Sequence, residues 1–297
     1  MSLKDKIKSG DFIVTAELGP PQSANGDAVR KKAVHFRKGV DSVNITDSQT
    51  AIVRLSSIAA ARIILEEGLE PVIQMTCRDR NRIAIQSDLL GAAALGIRNV
   101  LCLTGDYTTF GNQPEARPVF DMDAIQLIAM SRQMADGYFL SGDPIKTPPD
   151  LLVGGAANPF AEPMEMRWIR LKKKIDAGAA FIQTQPVFDM DVFNKWMEGV
   201  RERGLHEQTA ILAGVMPVKS ARALEYMKEE VPGIRIAPEI MQRMADAADP
   251  MEEGIRIAVE TIQTLRSCEG IRGIHLMPLL WESVTPRVLR ESTLIKD

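Results

Sequence analysis

The 297-residue chain can hold one large barrel or two small domains, and its 45% hydrophobic and 25% charged content is that of an ordinary globular protein. A net charge of -3 argues against nucleic-acid binding, which needs a basic face to replace counterions. No segment approaches the roughly 20 apolar residues of a membrane span, and the start Met1-Ser2-Leu3-Lys4-Asp5-Lys6-Ile7 begins no secretory signal, so a cytoplasmic location is expected.

After the charged start, residues 12–18 carry the β-branched and apolar content of a strand, which Gly19-Pro20-Pro21 stops. A helix over 27–38 and a strand over 41–46 follow, then a helix over 54–66 and a third strand over 71–77. The unit repeats with a helix over 83–95, a fourth strand opening at Asn99 and ending at Leu103-Thr104-Gly105-Asp106, and a helix over 122–135. Strand 151–154 leads to helix 162–177, strand 180–185 to helix 192–203, and strand 210–216 to two shorter helices over 221–230 and 238–245. A long helix over 251–266, an eighth strand over 274–277 and a final helix over 285–291 complete the pattern. Eight strands, each followed by helical sequence, predict an α/β fold of the (β/α)8 TIM-barrel type forming a single domain over 1–297. The competing open doubly wound sheet is disfavoured, because neither the G-x-G-x-x-G fingerprint nor a P-loop is present.

Barrels place their chemistry at the carboxyl ends of the strands, which directs attention to Glu17, Thr46, Gln74, Thr104, Asp106, Asn158 and Gln185. The apolar run from Asn99 stops at Gly105-Asp106, so Asp106 is either a site carboxylate or a residue that turns the chain. Glu17, beside apolar residues and converging on the same mouth as Asp106, has the surroundings of a general acid; the plainer alternative is a surface glutamate before a Pro-Pro turn. Arg167, Arg170, Lys172, Lys173 and Lys174 give the helix over 162–177 a basic side, either solvated or able to hold a pyrophosphate. Arg78, Arg80 and Arg82 carry the same two alternatives, and His275 reads as a satisfied buried histidine. Cys77, Cys102 and Cys268 are too scattered for a disulfide framework or a cluster, and with three histidines no metal site is expected. Any redox cofactor is then organic, or its metal sits on a partner.

Several motifs recur in order: Thr15-Ala16-Glu17 with Pro20-Pro21, Val43-Asn44-Ile45-Thr46-Asp47, Met75-Thr76-Cys77-Arg78-Asp79-Arg80-Asn81, Leu103-Thr104-Gly105-Asp106, Ala157-Asn158-Pro159, Lys174-Ile175-Asp176-Ala177-Gly178-Ala179 and Gln183-Thr184-Gln185. Together they resemble the methylenetetrahydrofolate reductase family along almost the whole chain. The resemblance implies a (β/α)8 barrel carrying FAD that converts 5,10-methylenetetrahydrofolate to 5-methyltetrahydrofolate by hydride transfer from the reduced flavin. Glu17 matches the general acid that protonates a folate nitrogen, Asp106 the carboxylate near flavin and pterin, and Gln185 a residue that hydrogen-bonds folate. Thr46, Asp47, Gln49, Thr104, Gly105 and Phe120 match flavin contacts, with Gln74 standing where better-known bacterial enzymes have histidine. Asn158, Ala161, Arg167, Arg170, Lys173 and Lys174 fall where the family holds the rest of FAD.

Gln185-Pro186-Val187-Phe188 departs from the family's Gln-aromatic-aromatic stretch, and Leu280-Trp281-Glu282 replaces an Asn-Arg that would meet the folate glutamate tail. The Thr76 to Asn81 motif resembles the branch found in acetogenic and other anaerobic bacteria. Electrons are accordingly expected from NAD(P)H or from an iron–sulfur partner subunit, in an oligomer or heteromer. The alternative is a pterin-binding, non-redox methyl-transfer or assembly subunit.

Overall fold

The computed structural model describes residues 1–231 and 233–295. Among them, eight parallel strands close into a barrel in sequence order, as expected. The strands are β1 (Ile13–Leu18), β2 (Ser42–Ile45), β3 (Pro71–Thr76), β4 (Asn99–Leu103), β5 (Leu152–Ala157), β6 (Phe181–Pro186), β7 (Ala210–Val215) and β8 (Ile271–Leu276). Around them lie α1 (Leu3–Ser9), α2 (Gly26–Ala33), α3 (Ser57–Glu66), α4 (Arg82–Ala94), α5 (Ala124–Ala135), α6 (Met164–Asp176) and α7 (Met190–Glu202). They are followed by α8 (Ala221–Glu230), α9 (Pro238–Asp246), α10 (Pro250–Arg266) and α11 (Thr285–Glu291). No helix among the described residues is long and apolar enough to cross a membrane.

Local chemistry starts these helices. Asn81 Oδ1 accepts from the amides of Ile83 and Ala84 at the head of α4, and Asp123 forms a capping box with Gln126 at the head of α5. Helix α1 was not anticipated; a capping box between Ser2 and Asp5 starts it within the charged segment. The helix predicted over 27–38 ends sooner, as α2 passes at Ala33 into a 3-10 turn, Val34–Phe36, that buries Phe36. Strand β8 begins before residue 274 because it pairs with both β7 and β1, where Gly273 leaves room for the Ile13 carbonyl.

Side chains alternate across each strand, so every second residue faces the barrel interior. On β1 these are Ile13, Thr15 and Glu17; on β6 they are Phe181 and Gln183, followed by Gln185. The interior is therefore layered. Its floor is apolar, built from Leu3, Ile13, Val72, Leu101, Phe181 and Leu212, with Leu3 of α1 closing it from below. Phe181 fills the space left by Gly154, where a Cβ would stand 2.3 Å from its ring; burying a side chain of this size contributes about 1.5–3 kcal/mol. Above the floor lies a polar layer of Thr15, Asn44, Gln183 and His275, all buried. Above that, Glu17 and Gln74 meet at the carboxyl-end mouth. The larger core packs the outer face of the sheet against the helices and leaves this interior to polar side chains.

Candidate active site

Glu17 stands near the end of β1, largely shielded, with both neighbours on its strand buried. Gln74 Nε2 donates to its Oε2 at 3.3 Å, and His275 Nε2 lies 3.8 Å from the same oxygen. Oε1 has no hydrogen-bond partner among the described residues. The carboxyl opens into a narrow cleft shared with Gly19, Gln49, Arg54, Leu279, Leu280 and Glu282. Below it, Thr15 Oγ1 is 2.9 Å from His275 Nδ1, and Gln183 Nε2 donates to that hydroxyl at 3.1 Å. Gln183 and Asn44 exchange reciprocal amide hydrogen bonds of 2.6 and 3.0 Å across the interior.

The loops after β2 and β4 are tied together at the rim. Ser48, Thr50 and Ala51 all take left-handed backbone conformations, with φ of 46°, 56° and 57°, and each such non-glycine residue costs about 1 kcal/mol or more. Three features hold the segment. Arg78, only 2% exposed, donates to the Ser48 carbonyl; Asp106 Oδ2 accepts from the Thr50 amide at 3.1 Å; and Gly111 sits so close to Ala51 that a Cβ would strike its carbonyl. Asp106 is exposed and follows Gly105, whose φ of +95° brings it against Arg78 and Thr76. Asp47 is 4% exposed and accepts from the Thr76 amide and hydroxyl and from both terminal nitrogens of Arg80. It joins the end of β2 to the end of β3. Phe120, φ 40°, donates its amide to the Cys77 carbonyl and meets Tyr107 edge-on at 5.6 Å.

Helix α6 starts at the mouth after β5. Arg167, Arg170 and Lys173 make no ion pair among the described residues, whereas Lys172 pairs with Asp176. Arg167 Nε is buried without a hydrogen-bond partner. Lys174 is different: its amine donates to the Ala156 carbonyl against β5, and burial, reinforced by Arg170, pushes its pKa down to about 8. Asn158 Oδ1 accepts from the Phe160 amide and shapes the turn that carries Ala161 toward α6. Thr104 Oγ1 accepts from the Ala124 amide, while Thr46 Oγ1 is buried without a partner. Cys77 and Cys102 are buried thiols, each pushed up to about 12 by desolvation; Cys268 is only partly buried.

The family model described as methylenetetrahydrofolate reductase matches residues 2–293. The chain belongs to the methylenetetrahydrofolate reductase family. Methylenetetrahydrofolate reductase 2 of Schizosaccharomyces pombe is 25% identical over 308 residues, covering 99% of this chain and 47% of that protein. The chain thus spans about half the length of such eukaryotic relatives. The 5,10-methylenetetrahydrofolate reductase of Pectobacterium carotovorum is 27% identical, covering 91% of this chain and 86% of that one. Among solved structures, an uncharacterized protein from Clostridium thermocellum that binds two copies of 5-methyl-5,6,7,8-tetrahydrofolic acid superposes with a TM-score of 0.68. Its 16% identity, over 98% of this chain and 97% of that one, makes the likeness one of fold.

In this member of the family the expected residues form three groups, with Gln185 apart. Glu17 and Gln74 meet directly, with Gln49 on the same cleft. Thr46, Asp47, Thr104, Gly105, Asp106 and Phe120 gather on the β2 to β4 side, and Asn158, Ala161, Arg167, Arg170, Lys173 and Lys174 follow β5. Gln185, half-buried at the end of β6, makes no side-chain hydrogen bond among the described residues. The interior group of Thr15, Asn44 and Gln183 was not singled out. Its signal was available as polar residues at strand period in Thr15-x-Glu17, Asn44-x-Thr46 and Gln183-x-Gln185. His275 is satisfied and buried as expected, and it also faces Glu17.

Proposed function

We propose that the chain is a flavoprotein reductase that converts 5,10-methylenetetrahydrofolate to 5-methyltetrahydrofolate. The observation that carries this reading is Glu17, a shielded carboxyl at the barrel mouth that lines a narrow cleft, with one oxygen engaged by Gln74 and the other without a hydrogen-bond partner among the described residues. Such a carboxyl can hold a proton and deliver it to a folate nitrogen, opening the methylene bridge to a cationic, iminium-type carbon. Asp106 supplies negative charge at the same mouth and would favour that cation. Gln185 would hydrogen-bond the pterin from β6.

The residues present fit a dinucleotide flavin. Arg167, Arg170 and Lys173 form an uncompensated basic face along α6, with the Arg167 Nε orphaned, and charge-assisted hydrogen bonds there would offset a pyrophosphate. The ring end of FAD would lie against Thr46, Gln49, Thr104, Gly105 and Phe120. When bound and reduced, FAD supplies the hydride for the one-carbon unit. Electrons would come from NAD(P)H or from a partner iron–sulfur subunit.

The test is an anaerobic visible spectrum of FAD-reconstituted protein mixed with NADH, with NADPH and with methyltetrahydrofolate. Bleaching by a nucleotide identifies a self-sufficient reductase, and bleaching by methyltetrahydrofolate alone identifies one fed by a partner. Glu17→Gln should keep the flavin and abolish folate reduction. Protein that binds folate but takes up no flavin would overturn the proposal.

A further inference from the structure

The cleft beside Glu17 holds a cation that nothing in the protein answers. Arg54 lines that cleft half-buried and makes no ion pair among the described residues. Its Nη1 donates to the Pro20 carbonyl at 3.1 Å, its Nε is buried without a partner, and its Nη2 makes no hydrogen bond among the described residues. A guanidinium stays charged at any physiological pH, so drawing it out of water is costly unless an anion completes it. The backbone around it is fixed. The Val53 amide donates to Asn112 Oδ1 at 3.0 Å and the Leu55 amide to the Pro21 carbonyl at 2.9 Å, which holds Arg54 from both sides. The neighbouring cation differs: Lys32 pairs with Glu282 at 2.5 Å and also donates to the Gly19 carbonyl. Glu282 lines the same cleft, so its charge is already met. With Glu17 protonated, as a general acid must be, Arg54 is the uncompensated charge there.

Another wall of the cleft is apolar. Pro278, Leu279 and Leu280 line it, and Leu279 and Leu280 are 50% and 69% exposed. Leu280 is held at φ 51°, a left-handed conformation that a non-glycine residue rarely adopts, with its carbonyl accepting from Lys219 at 2.9 Å. An acid, an exposed apolar wall and an unanswered cation on one cleft suit a molecule with a basic nitrogen, a flat apolar middle and a carboxylate. We propose that Arg54 is a substrate-binding residue that takes a carboxylate of the p-aminobenzoylglutamate part of folate through Nη1 and Nη2, with the aryl group against Leu279 and Leu280. The identity of the molecule rests on the reductase function proposed above, whereas the site for a carboxylate does not. One guanidinium matches one carboxylate; a nucleotide pyrophosphate is better answered by the several cations of α6.

The experiment is anaerobic calorimetry on the full FAD-loaded chain, its flavin reduced beforehand with dithionite so that no turnover occurs. The probes are 5-methyltetrahydrofolate and its diamide, in which both glutamate carboxylates are made neutral. The unsubstituted protein should bind the diamide about tenfold or more weakly, the loss expected for a charge-assisted pair. Arg54→Met should bind the two probes within about twofold of each other, with its affinity for the diamide unchanged, and Arg54→Lys should recover only part of the preference. In turnover, Arg54→Met should raise KM with kcat little changed. Equal binding of both probes by the unsubstituted protein would overturn the proposal, even if no variant folds. So would an Arg54→Met protein that loses affinity for both probes alike, as a merely structural role predicts, or one that loses affinity for NADH and keeps its preference for the carboxylates. A preference that Arg54→Met abolishes, in a protein that reduces no methylenetetrahydrofolate, would overturn the reductase function and uphold the carboxylate site.

Discussion

Replacing Asp47 separates a contact made for a bound flavin from one made for the barrel itself. Its carboxylate accepts four hydrogen bonds, from the Thr76 amide at 3.0 Å, the Thr76 hydroxyl at 2.9 Å, and Arg80 at 2.7 and 3.2 Å. Asp47→Ala strands all four donors, including a guanidinium that retains only Asp88. Removing one partner of a buried ion pair costs about 3–5 kcal/mol. With an unfolding entropy of about 2.1 cal/mol/K per residue, the 297-residue chain loses about 0.6 kcal/mol per degree, so its Tm should fall by about 5–8 °C. Calorimetry on flavin-free protein is the assay, because it reads the barrel alone. Arg80→Met and the double variant complete a cycle in which the two losses should overlap by more than about 1 kcal/mol. Flavin-free Asp47→Ala melting within about 1 °C of the unsubstituted chain, or strictly additive losses, would refute the ion-pair account.

Two further outcomes follow from the packing. Lys174 has its pKa lowered to about 8 from 10.5, so between those values the unfolded chain holds a proton that the folded chain lacks, and stability rises with pH across that window. The gap corresponds to about 3 kcal/mol, less about 1 kcal/mol for the bond to the Ala156 carbonyl. Lys174→Met should therefore be about 2 kcal/mol more stable at pH 7 and lose that advantage by pH 10.5, as read by urea melts; an advantage constant with pH would refute the cause. Gly154→Ala places a Cβ 2.3–2.5 Å from three Phe181 ring atoms, an overpacking of about 1–3 kcal/mol that Phe181→Leu should partly relieve. Equal destabilisation in both backgrounds would show that the ring is not the obstacle.

The barrel was legible because its code is local. Apolar β-branched runs alternating with helical spacing recur eight times, and a strand formed at each run, with β5 continuing past Gly154 to Ala157 and β8 opening earlier, at Ile271. What sequence could not supply was partnership. In the sequence Asp47 matches a flavin contact and Arg80 is either solvated or a pyrophosphate contact, and only the fold shows them facing one another. Asn44 and Gln183 lie 139 residues apart and meet across the interior, a contact that no window along the chain contains. Helix α1 is hidden for a smaller reason: a short charged segment has no apolar period, and only the Ser2–Asp5 capping box marks its start. The candidate acid Glu17 was found from position alone, at a strand end before Pro20-Pro21, but its surroundings depend on β3 and β8.

Leu3 and the apolar floor close the polar interior from below, so that Asn44, Gln183 and His275 lie buried between that floor and the mouth where Glu17 meets Gln74. Exchange of the Asn44, Gln183 and His275 side-chain protons with solvent is expected to proceed from the mouth side. A molecule seated across the mouth acts as a cork: deuterium uptake by these side chains slows when it binds, while the outer helices exchange as before.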